Sequence, residues 1–456
     1  MKERLIAGEL VDLEGGSVPS SLIRALLVDD DRLDPRGVRL RNARIEGQLD
    51  LRDVSAKRPL VLRDCQADAP VLLDRAHLSA LDLTGLAAPA VSAPWLRLEH
   101  YLYLSNARLD GGTDDWALDL GEAIIGDHIS FDGAHLFSEH DFSLHAPKLR
   151  TGSHVYATNL RATATVRLDG ARIGGGLRFE GSELNSDHDA ALLAVDMQVD
   201  ESVFLSDGFR ATSASYVAVR IRGSRVGGQL VLRGGRATGP SALDLKQVRI
   251  GLELLFPADF ADGPVQLDGL TYSGLPRDAD LDEWLEMLAH RTPGYTSQPY
   301  HQLVAAHQGA GQERDVRRIR IAQQRDLLRR GQLTRRGSLW HRITGATVGY
   351  GYRPSSALLW FAATLATAIL LVAGVAGPAG LARGTSGPCS LVDQIGLALN
   401  AATPLIKPDS QQRCQLVTSQ GLGQLVLVLT WILQVFAWAF ATLFVAGFTG
   451  LVRKAP

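Results

Sequence analysis

Apolar and polar residues alternate from about residue 43 to residue 272, in a sequence motif that recurs with small variations. The motif consists of an apolar residue, often followed one or two positions later by a glycine, and then of apolar residues at alternate positions. Its clearest copies are residues 44–51, 172–179 and 225–232. Alternation with period two, punctuated by glycine, is typical of β-strands, whose side chains point alternately to opposite faces.

Weaker copies fill the intervals, and from Ile125 onward the step between copies is 22–27 residues. A unit of this size cannot bury its apolar face alone, whereas stacked units can. The chain is therefore predicted to be mainly β, with a β-solenoid of about nine coils over residues 43–272. The copies are centred on Ile125, Thr151, Ile173, Val199, Val226 and Ile250, with degenerate copies near Ala67 and Leu98 and a two-residue choice of register at Thr151.

Helical patterns flank the repeat on both sides. Residues 19–29 predict a capping helix, with Ser20 or Ser21 as N-cap, inside an N-terminal cap over residues 1–42. After the repeat the apolar spacing becomes helical, and residues 273–336 predict a helical neck. Its last two helices resemble a single tetratricopeptide-type hairpin, and we expect the neck to join the solenoid to a membrane.

Two stretches near the end of the chain, residues 354–382 and 421–452, contain no Asp, Glu, Lys or Arg. Each is longer than the roughly 20 apolar residues that a helix needs to cross about 30 Å of hydrocarbon. We therefore predict transmembrane helices at residues 355–377 and 423–450. The loop between them, residues 378–422, includes an apolar segment at residues 391–406 that is suited to re-enter the bilayer.

The charge distribution predicts the topology. Residues 311–342 contain ten Arg and three acidic residues, a balance of +7, so the rest of the chain carries −9 of the net charge of −2. Positive charge beside a membrane helix favours the cytoplasmic side. We expect a cell-membrane protein with a cytoplasmic solenoid, an extracytoplasmic loop and a cytoplasmic tail at residues 451–456. The adjacent bilayer accounts for the basic block, and no nucleic-acid partner is predicted.

Two of the three cysteines, Cys389 and Cys414, fall in the predicted outer loop. An oxidising compartment on that side favours a disulfide, which would be worth roughly 3 kcal/mol in the chain-entropy model. Two free thiols are the alternative. The third, Cys65, is expected to be a small buried apolar residue of the soluble body.

Residues 347–351 spell the selectivity filter of potassium channels letter for letter. In those channels, however, a membrane helix precedes the filter, and here the preceding residues carry the basic block. The predicted topology also places this motif at the cytoplasmic face. We therefore interpret residues 337–354 as a juxtamembrane turn, whose characteristic residues are Tyr350, Gly351, Tyr352, Arg353 and Pro354.

The membrane helices contain groups that favour association into a homo-oligomer. Small residues lie four apart, and polar side chains occur within the second helix. Two helices cannot enclose a water-filled path, so any conduction would require such an oligomer. The small pairs are Ala362 with Ala366 and Ala446 with Gly450, and the polar residues are Thr430, Gln434 and Thr442.

No catalytic or cofactor motif is present in the sequence, so an enzymatic role is not favoured and no cofactor is predicted. His128 and His154 are the only weak candidates for a metal site. If the repeat register holds, they occupy equivalent outward positions on adjacent coils, roughly 5 Å apart. Stacked surface histidines also arise by chance in degenerate repeats, and no metal site is predicted.

The Tyr-Gly-Tyr-Arg-Pro turn, together with a degenerate β-helix and two terminal helices, resembles a group of actinobacterial membrane proteins. Some proteins of that group carry the label membrane-associated oxidoreductase. Residues 76–83 are also locally similar to pentapeptide-repeat β-helices, and the two-helix foot is loosely similar to two-helix ion-channel modules.

Three functions follow as hypotheses. The first is a membrane-anchored solenoid that acts as a binding, scaffold or sensor protein for an unidentified cytoplasmic protein partner. The second is an ion-channel-like pore gated by the solenoid. The third is an oxidoreductase, for which Cys389 and Cys414 are the only candidate couple.

Overall fold

The structure of the protein is a computed structural model. It describes residues 1–28, 32–111, 115–331, 354–379, 382–384, 387–402, 414–419 and 421–448, and the single positions 334, 337, 342, 345 and 347. The chain divides into two compact units, Met1–Val316 and Arg317–Pro456.

Four stacks of short parallel strands make up most of the first unit. We call them faces 1 to 4, in the order in which each turn of the chain visits them, so that faces 2 and 4 lie on opposite sides of a coil. In the described part of the chain, faces 1 and 2 hold 11 strands each, face 3 holds 9 and face 4 holds 8. The predicted β-solenoid is confirmed, with about ten turns instead of nine.

Face 1 consists of Val11–Asp12, Val38–Arg41, Leu60–Arg63, Leu81–Asp82, Leu102–Tyr103, Ile129–Ser130, Val155–Tyr156, Leu177–Arg178, Val203–Phe204, Leu230–Val231 and Leu254–Leu255. Face 2 consists of Ser17–Pro19, Arg44–Glu46, Gln66–Ala67, Ala87–Ala88, Arg108–Leu109, His135–Leu136, Arg161–Ala162, Glu183–Ser186, Arg210–Ser213, Arg236–Thr238 and Ala261–Asp262. Face 3 consists of Val71–Leu72, Val91–Ser92, Trp116–Asp119, Phe142–His145, Thr165–Arg167, Leu192–Leu193, Val217–Arg220, Ser241–Asp244 and Val265–Gln266. Face 4 consists of His77–Leu78, Arg97–Leu98, Ile124–Ile125, Arg150–Thr151, Arg172–Ile173, Gln198–Val199, Arg225–Val226 and Arg249–Ile250.

The described helices are α1 Lys2–Ile6, α2 Ser20–Val28, α3 Leu281–Glu286, α4 Gln298–Gly309, α5 Glu313–Arg330, α6 Pro354–Ile369, α7 Leu391–Ala402 and α8 Gly421–Phe448. The π-helical turns Met287–Arg291 and Leu370–Ala376 extend α3 and α6.

The first coil lies inside residues 1–42, the segment predicted to be a cap. Its strands Val11–Asp12 and Ser17–Pro19 already pair with the strands of the next coil. The predicted helix is present as α2 and buries three apolar side chains on one face. The solenoid therefore begins at Val11 instead of at residue 43.

Backbone pairing between coils reproduces the steps counted in the sequence. On face 4, Ile125 pairs with Thr151 and Thr151 pairs with Ile173, and the ladder continues at the predicted steps to Ile250. The structure thereby resolves the two-residue choice at Thr151. Its buried hydroxyl donates to the carbonyl of Asp127, so this polar side chain is satisfied inside an apolar ladder.

One of the three clear copies of the repeat lies on a different face from the other two. Ile45 pairs with Ala67 on face 2, whereas Ile173 and Val226 belong to the ladder of face 4. Residues 44–51 therefore do not stack above the other two copies, and their alignment as members of one ladder is wrong. Faces 2 and 4 share one local rule, in which the strand begins with an outward residue and an inward residue follows, as in Arg108–Leu109 and Arg172–Ile173. In the two-residue strands of faces 1 and 3 the inward residue comes first, as in Leu102–Tyr103.

The chain enters faces 2 and 4 through residues with positive φ, two positions before the strands. This conformation is tolerated best by Gly, Asn and Asp. Before face 2, every such position from Asn42 to Gly234 is one of these three types, whereas larger side chains also occur before face 4. The corner positions before face 4 are Arg75, Trp95, Glu122, Lys148, Gly170, Asp196, Gly223, Gln247 and Gly269.

Close approach of successive coils explains the glycine that follows the apolar residue in the face 4 copies. A Cβ on Gly152 would overlap the carbonyl oxygen of Gly126, and a Cβ on Gly174 would collide with the carbonyl of Gly152. The glycines of the repeat therefore let the coils touch at this corner.

Helices α3 and α4 cover the last coil. Trp284 of α3 is 3% exposed and meets the ring of Phe256 edge-on, with ring centroids 5.7 Å apart. Gln298 of α4 donates to a carbonyl of the last coil at 2.9 Å and accepts from an amide there at 2.8 Å. Such a cover is needed because the end of a stack exposes unpaired backbone groups. The first part of the predicted neck is thus a C-terminal cap.

Two segments of the second unit are helical, and by length and composition they are suited to cross a membrane. They are Ser355–Ala376, of 22 residues, and Gly421–Ala446, of 26 residues. At 1.5 Å per residue they are about 33 and 39 Å long, against about 30 Å of hydrocarbon. Their exposed large apolar side chains are Leu358, Leu359, Trp360, Leu370, Val375, Leu422, Leu425, Val428, Trp431, Ile432, Val435, Phe436, Trp438 and Val445.

Cys389 and Cys414 are joined by a disulfide, with their Cα atoms 6.0 Å apart. Cys389 follows the strand Gly387–Pro388, and Cys414 precedes the strand Gln415–Leu416. Both strands pair with Ala382–Gly384 in an antiparallel sheet. Helix α7 lies between the two cysteines in sequence and packs against both α6 and α8.

We predict that Trp284→Ala loosens the last coils of the solenoid. Removing a buried Trp side chain costs about 3–5 kcal/mol, and in a repeat fold the loss falls on the neighbouring coils. Amide hydrogen exchange of the full chain should accelerate in residues 254–272. Trp95→Asn is the control, because Trp95 is 50% exposed and its positive φ suits Asn. Equal exchange in wild type and Trp284→Ala would contradict the capping role.

We predict that the full chain, extracted from membranes and denatured without reductant, reacts with a thiol-directed polyethylene glycol at Cys65 alone. After reduction it should react at three positions, because Cys389 and Cys414 are then released. In the control variant Cys65→Ser, no polyethylene glycol should be added before reduction, and two should be added after reduction. Three additions before reduction would show that the bridge is absent.

Candidate anion-binding face

Each strand of face 4 begins with a residue that points outward, and the next residue points into the core. This follows from the period-two alternation of strands. The inward residues form the apolar ladder described above. From one end of the stack to the other, the outward residues are His77, Arg97, Ile124, Arg150, Arg172, Gln198, Arg225, Arg249 and Thr271.

Five arginines therefore share one row on this face, and we call them the arginine column. All five are exposed. In the part of the chain that the structure describes, none of their guanidinium groups forms an ion pair or a hydrogen bond with a protein group. The column is therefore a row of positive charges without local compensation. Its members are Arg97, Arg150, Arg172, Arg225 and Arg249.

The opposite face carries a similar row, but much of its charge is compensated. On face 2, Arg44 pairs with Asp68 at 3.0 Å and Arg236 pairs with Asp262 at 2.8 Å. Arg161 lies 3.9 Å from Glu183, which follows it in the same row. Two others, Arg108 and Arg210, have no ion pair among the described residues. The positive field of the solenoid is thus stronger on face 4.

The spacing of the column follows from the strand spacing. Adjacent parallel strands lie about 4.8 Å apart, so six steps separate the ends of the column by about 29 Å. Two pairs of arginines occupy directly adjacent strands, Arg150 with Arg172 and Arg225 with Arg249. Guanidinium groups at such spacing can contact one anionic group together.

A shallow groove of about 460 Å³ lies beside the second pair. Two corner positions in it are glycines, Gly223 and Gly269, which have no side chain of their own. The amides of Gln198 and Gln247 also line it and have no hydrogen-bond partner among the described residues. The lining residues are Asp196, Gln198, Gly223, Arg225, Gln247, Arg249 and Gly269.

The two candidate metal ligands lie on neighbouring coils, one position before the paired residues Ile129 and Val155. The Nε2 of His128 is 2.9 Å from the hydroxyl of Tyr103, and its Nδ1 is 3.0 Å from a carboxylate oxygen of Asp127. These two contacts occupy both ring nitrogens of His128.

The Nδ1 of His154 accepts the backbone N–H of Gly176 at 2.7 Å, so its lone pair is already used. No group of three or more His, Cys, Asp or Glu side chains able to hold a metal occurs among the described residues. Instead, both histidines belong to a cluster of rings on face 1 with Tyr101, Tyr103 and Tyr156.

Most of the juxtamembrane turn lies outside the described residues, including Tyr350, Gly351, Tyr352 and Arg353. Pro354 is the first residue of α6. Of the filter-like motif only Thr347 is described, and its carbonyl accepts the hydroxyl of Ser356 at 2.8 Å.

Two of the three polar residues proposed to join membrane helices, Thr430 and Thr442, form hydrogen bonds within α8. The hydroxyl of Thr430 donates to Leu427 O at 2.8 Å, and that of Thr442 donates to Trp438 O at 2.9 Å. Each hydroxyl therefore already has a hydrogen-bond acceptor within its own helix and does not require one from a second helix. Gln434 is half-buried and Ala446 lies in the last turns of α8, whereas Gly450 is outside the described residues.

On α6, Ala362 and Ala366 are exposed, so this small-residue pair is open to another helix.

Cys65 is buried as expected, and its thiol donates to the carbonyl of Arg63 at 3.3 Å. Burial raises the pKa of this thiol to about 11. At neutral pH it is therefore protonated and a poor nucleophile.

Sequence reasoning missed the arginine column although its signal was present. The apolar positions Leu98, Thr151, Ile173, Val226 and Ile250 were counted for their spacing, and each is preceded directly by Arg. An apolar ladder with a constant period must carry a second ladder one residue earlier, on the outer side of the sheet. Counting that second ladder would have identified the column.

Comparisons with known proteins return no relative: no family model matches this chain, and neither a curated protein nor a solved structure resembles it significantly. They therefore give no support to an actinobacterial or oxidoreductase label. The fold is a β-solenoid followed by helices, two of which are suited to cross a membrane.

Proposed function

We propose that this chain is a membrane-anchored binding protein, in which α6 and α8 are the anchor and the β-solenoid recognises an acidic protein partner. The observation that carries the proposal is the arginine column, which presents five uncompensated positive charges in one row. The sheet fixes the backbone positions of these arginines before a partner arrives, so no backbone ordering is needed there on binding.

The proposed location of the partner is the cytoplasm. The basic block at residues 311–342 directly precedes α6, and positive charge beside a membrane helix favours the cytoplasmic side. The solenoid lies N-terminal to that block and is expected on the same side. Exposed arginines attract an acidic partner over about a Debye length, so the association should weaken as salt is added.

We predict that the full chain in lipid nanodiscs binds fluorescent poly-L-glutamate, measured by anisotropy, and that binding weakens between low and physiological salt. The quadruple variant Arg150→Gln, Arg172→Gln, Arg225→Gln and Arg249→Gln should lose at least about tenfold in affinity, since each exposed charge contributes modestly and four are removed.

The control is the double variant Arg108→Gln with Arg210→Gln on face 2. It removes two arginines that also have no ion pair among the described residues but lie on the opposite side of the coil. This variant should bind within about twofold of wild type if face 4 is the contact surface. Losses in proportion to the number of arginines removed, four against two, would mean that binding follows overall charge. Absence of wild-type binding would contradict the proposal.

A pore is the second candidate, and one observation favours it. Helix α7 has 12 residues, about 18 Å, so it cannot cross the bilayer, yet it packs against both helices suited to do so. The Nδ2 of Asn400 in α7 is buried without a hydrogen-bond partner among the described residues. A polar group of this kind between apolar helices is a candidate for lining an ion path in an oligomer.

Ion flux from liposomes containing the full chain tests this second candidate. A pore through α7 predicts flux by an oligomer and its loss in Asn400→Leu, with the oligomeric state in detergent unchanged. Gln424→Leu, a change near the start of α8, is the control and should retain flux. A monomer without flux would exclude the pore.

The oxidoreductase alternative has weaker support. Cys389 and Cys414 are the candidate couple, but Cys414 is fully buried in an apolar cluster with Val372, Leu397 and Ala398. A substrate thiol has no direct access to that sulfur, so the bridge is better explained as a structural clamp.

A further inference from the structure

We propose that the groove beside Arg225 and Arg249, the Arg225–Arg249 groove, binds a phosphate monoester dianion. This inference rests on the proposed function, because it names the anionic group that the acidic partner would place on face 4. It concerns one end of the arginine column, whereas the proposed function concerns the whole row.

The two arginines lie on adjacent strands, about 4.8 Å apart at the backbone, with no competing carboxylate bound to either in the described part of the chain. Each guanidinium presents a planar fork of N–H donors. A carboxylate offers about four lone-pair positions on two oxygens, so two forks already use its whole capacity. A phosphate monoester has three terminal oxygens and can accept from both forks.

Two amide side chains add donors at the same place. Gln198 precedes Arg225 in the row, and Gln247 is the corner residue before Arg249. Both are exposed and without hydrogen-bond partners among the described residues. Two guanidinium forks and two amides provide more donors than a carboxylate can accept, and this favours the phosphate group.

The corner residues of positive φ differ between the two adjacent arginine pairs. Gly223 and Gly269 have no side chain of their own; the carboxylate of Asp196 lies beside the first, and the stem of Gln247 lies beside the second. Beside the other adjacent pair, Arg150 with Arg172, the corner Gly170 lies against the stem of Lys148, whose ammonium pairs with Glu122 at 3.3 Å. The two pairs therefore have the same spacing and charge. They differ in a neighbouring corner residue: the side-chain amide of Gln247, before Arg249, has no hydrogen-bond partner among the described residues, whereas Lys148, before Arg150, is paired with Glu122.

Asp196 is the single carboxylate among the residues that line the groove. It lies close to Gly223 and has no ion pair in the described part of the chain. Its negative charge opposes a dianion a few ångströms away, so it should limit the affinity of the site. Replacing it with Asn keeps the positive φ acceptable and removes the charge.

The test uses the full chain in nanodiscs at pH 8, with phenyl phosphate as the probe and calorimetry as the measurement. Benzoate tests for a carboxylate site, and diphenyl phosphate tests for a diester, such as the nucleic-acid backbone carries. Arg225→Gln with Arg249→Gln should weaken phenyl phosphate binding at least about tenfold, and Asp196→Asn should strengthen it about threefold.

Arg150→Gln with Arg172→Gln is the matched control and should bind phenyl phosphate within about twofold of wild type. Inorganic phosphate and a phosphoserine peptide with its unphosphorylated form distinguish a free ion from a partner-borne group. Tighter binding of the phosphopeptide identifies a protein source, and equal binding of inorganic phosphate identifies a free ion. Either result supports the site.

Three outcomes would overturn the inference: no binding of phenyl phosphate, equal binding of benzoate or diphenyl phosphate, or an equal loss in the Arg150 and Arg172 control. Failure of the two proposals can be told apart. If poly-L-glutamate still requires the arginine column while phenyl phosphate does not bind, the groove inference fails alone. If the quadruple variant binds poly-L-glutamate normally, the proposed function fails.

Discussion

The first unit depends on the hydrogen bonds that join the backbone of one coil to that of the next. Bonds such as that from the N–H of Ile129 to the carbonyl of His154, at 3.0 Å, keep successive strands in one register. A slip by one residue would turn the buried side chains outward. Burial of the apolar ladder therefore fixes the register of the strands. The same bonds convert a residue that recurs in the sequence into a straight row on the surface.

The apolar ladder of face 4 could be predicted from the sequence because its members are evenly spaced and mostly Ile and Val. The faces could not be told apart, since strands of two residues leave almost no pattern beyond one outward and one inward position. Ile45 therefore looked equivalent to Ile173 although they lie on different faces. The cap formed by Trp284 was also beyond prediction, because an amphipathic helix does not indicate which surface it covers. The pairing of Cys389 with Cys414 was predicted from their compartment, and the structure joins them.

The net charge of −2 conceals two different surfaces on one fold. On face 2, carboxylates such as Asp68 and Asp262 lie beside the arginines and cancel much of their field. On face 4 the described residues place no carboxylate in that role. The contrast arises from side chains at the edges of the strands, since the backbone of both faces follows one rule. Composition alone therefore says little about how a solenoid of this kind interacts with its surroundings.

The corner residues of positive φ shape the surface of the solenoid, whereas the residues of the apolar ladder maintain its fold. A corner side chain contributes nothing to the apolar ladder, yet the corner before Arg150 carries Lys148, paired with Glu122, whereas the corner before Arg225 is Gly223, which lines the groove. A single exchange among Gly, Asn and Asp, the residues that best tolerate positive φ, can thus change the surface beside an arginine while leaving the apolar ladder intact. Mutation can explore new specificities one corner at a time, which makes this architecture readily evolvable.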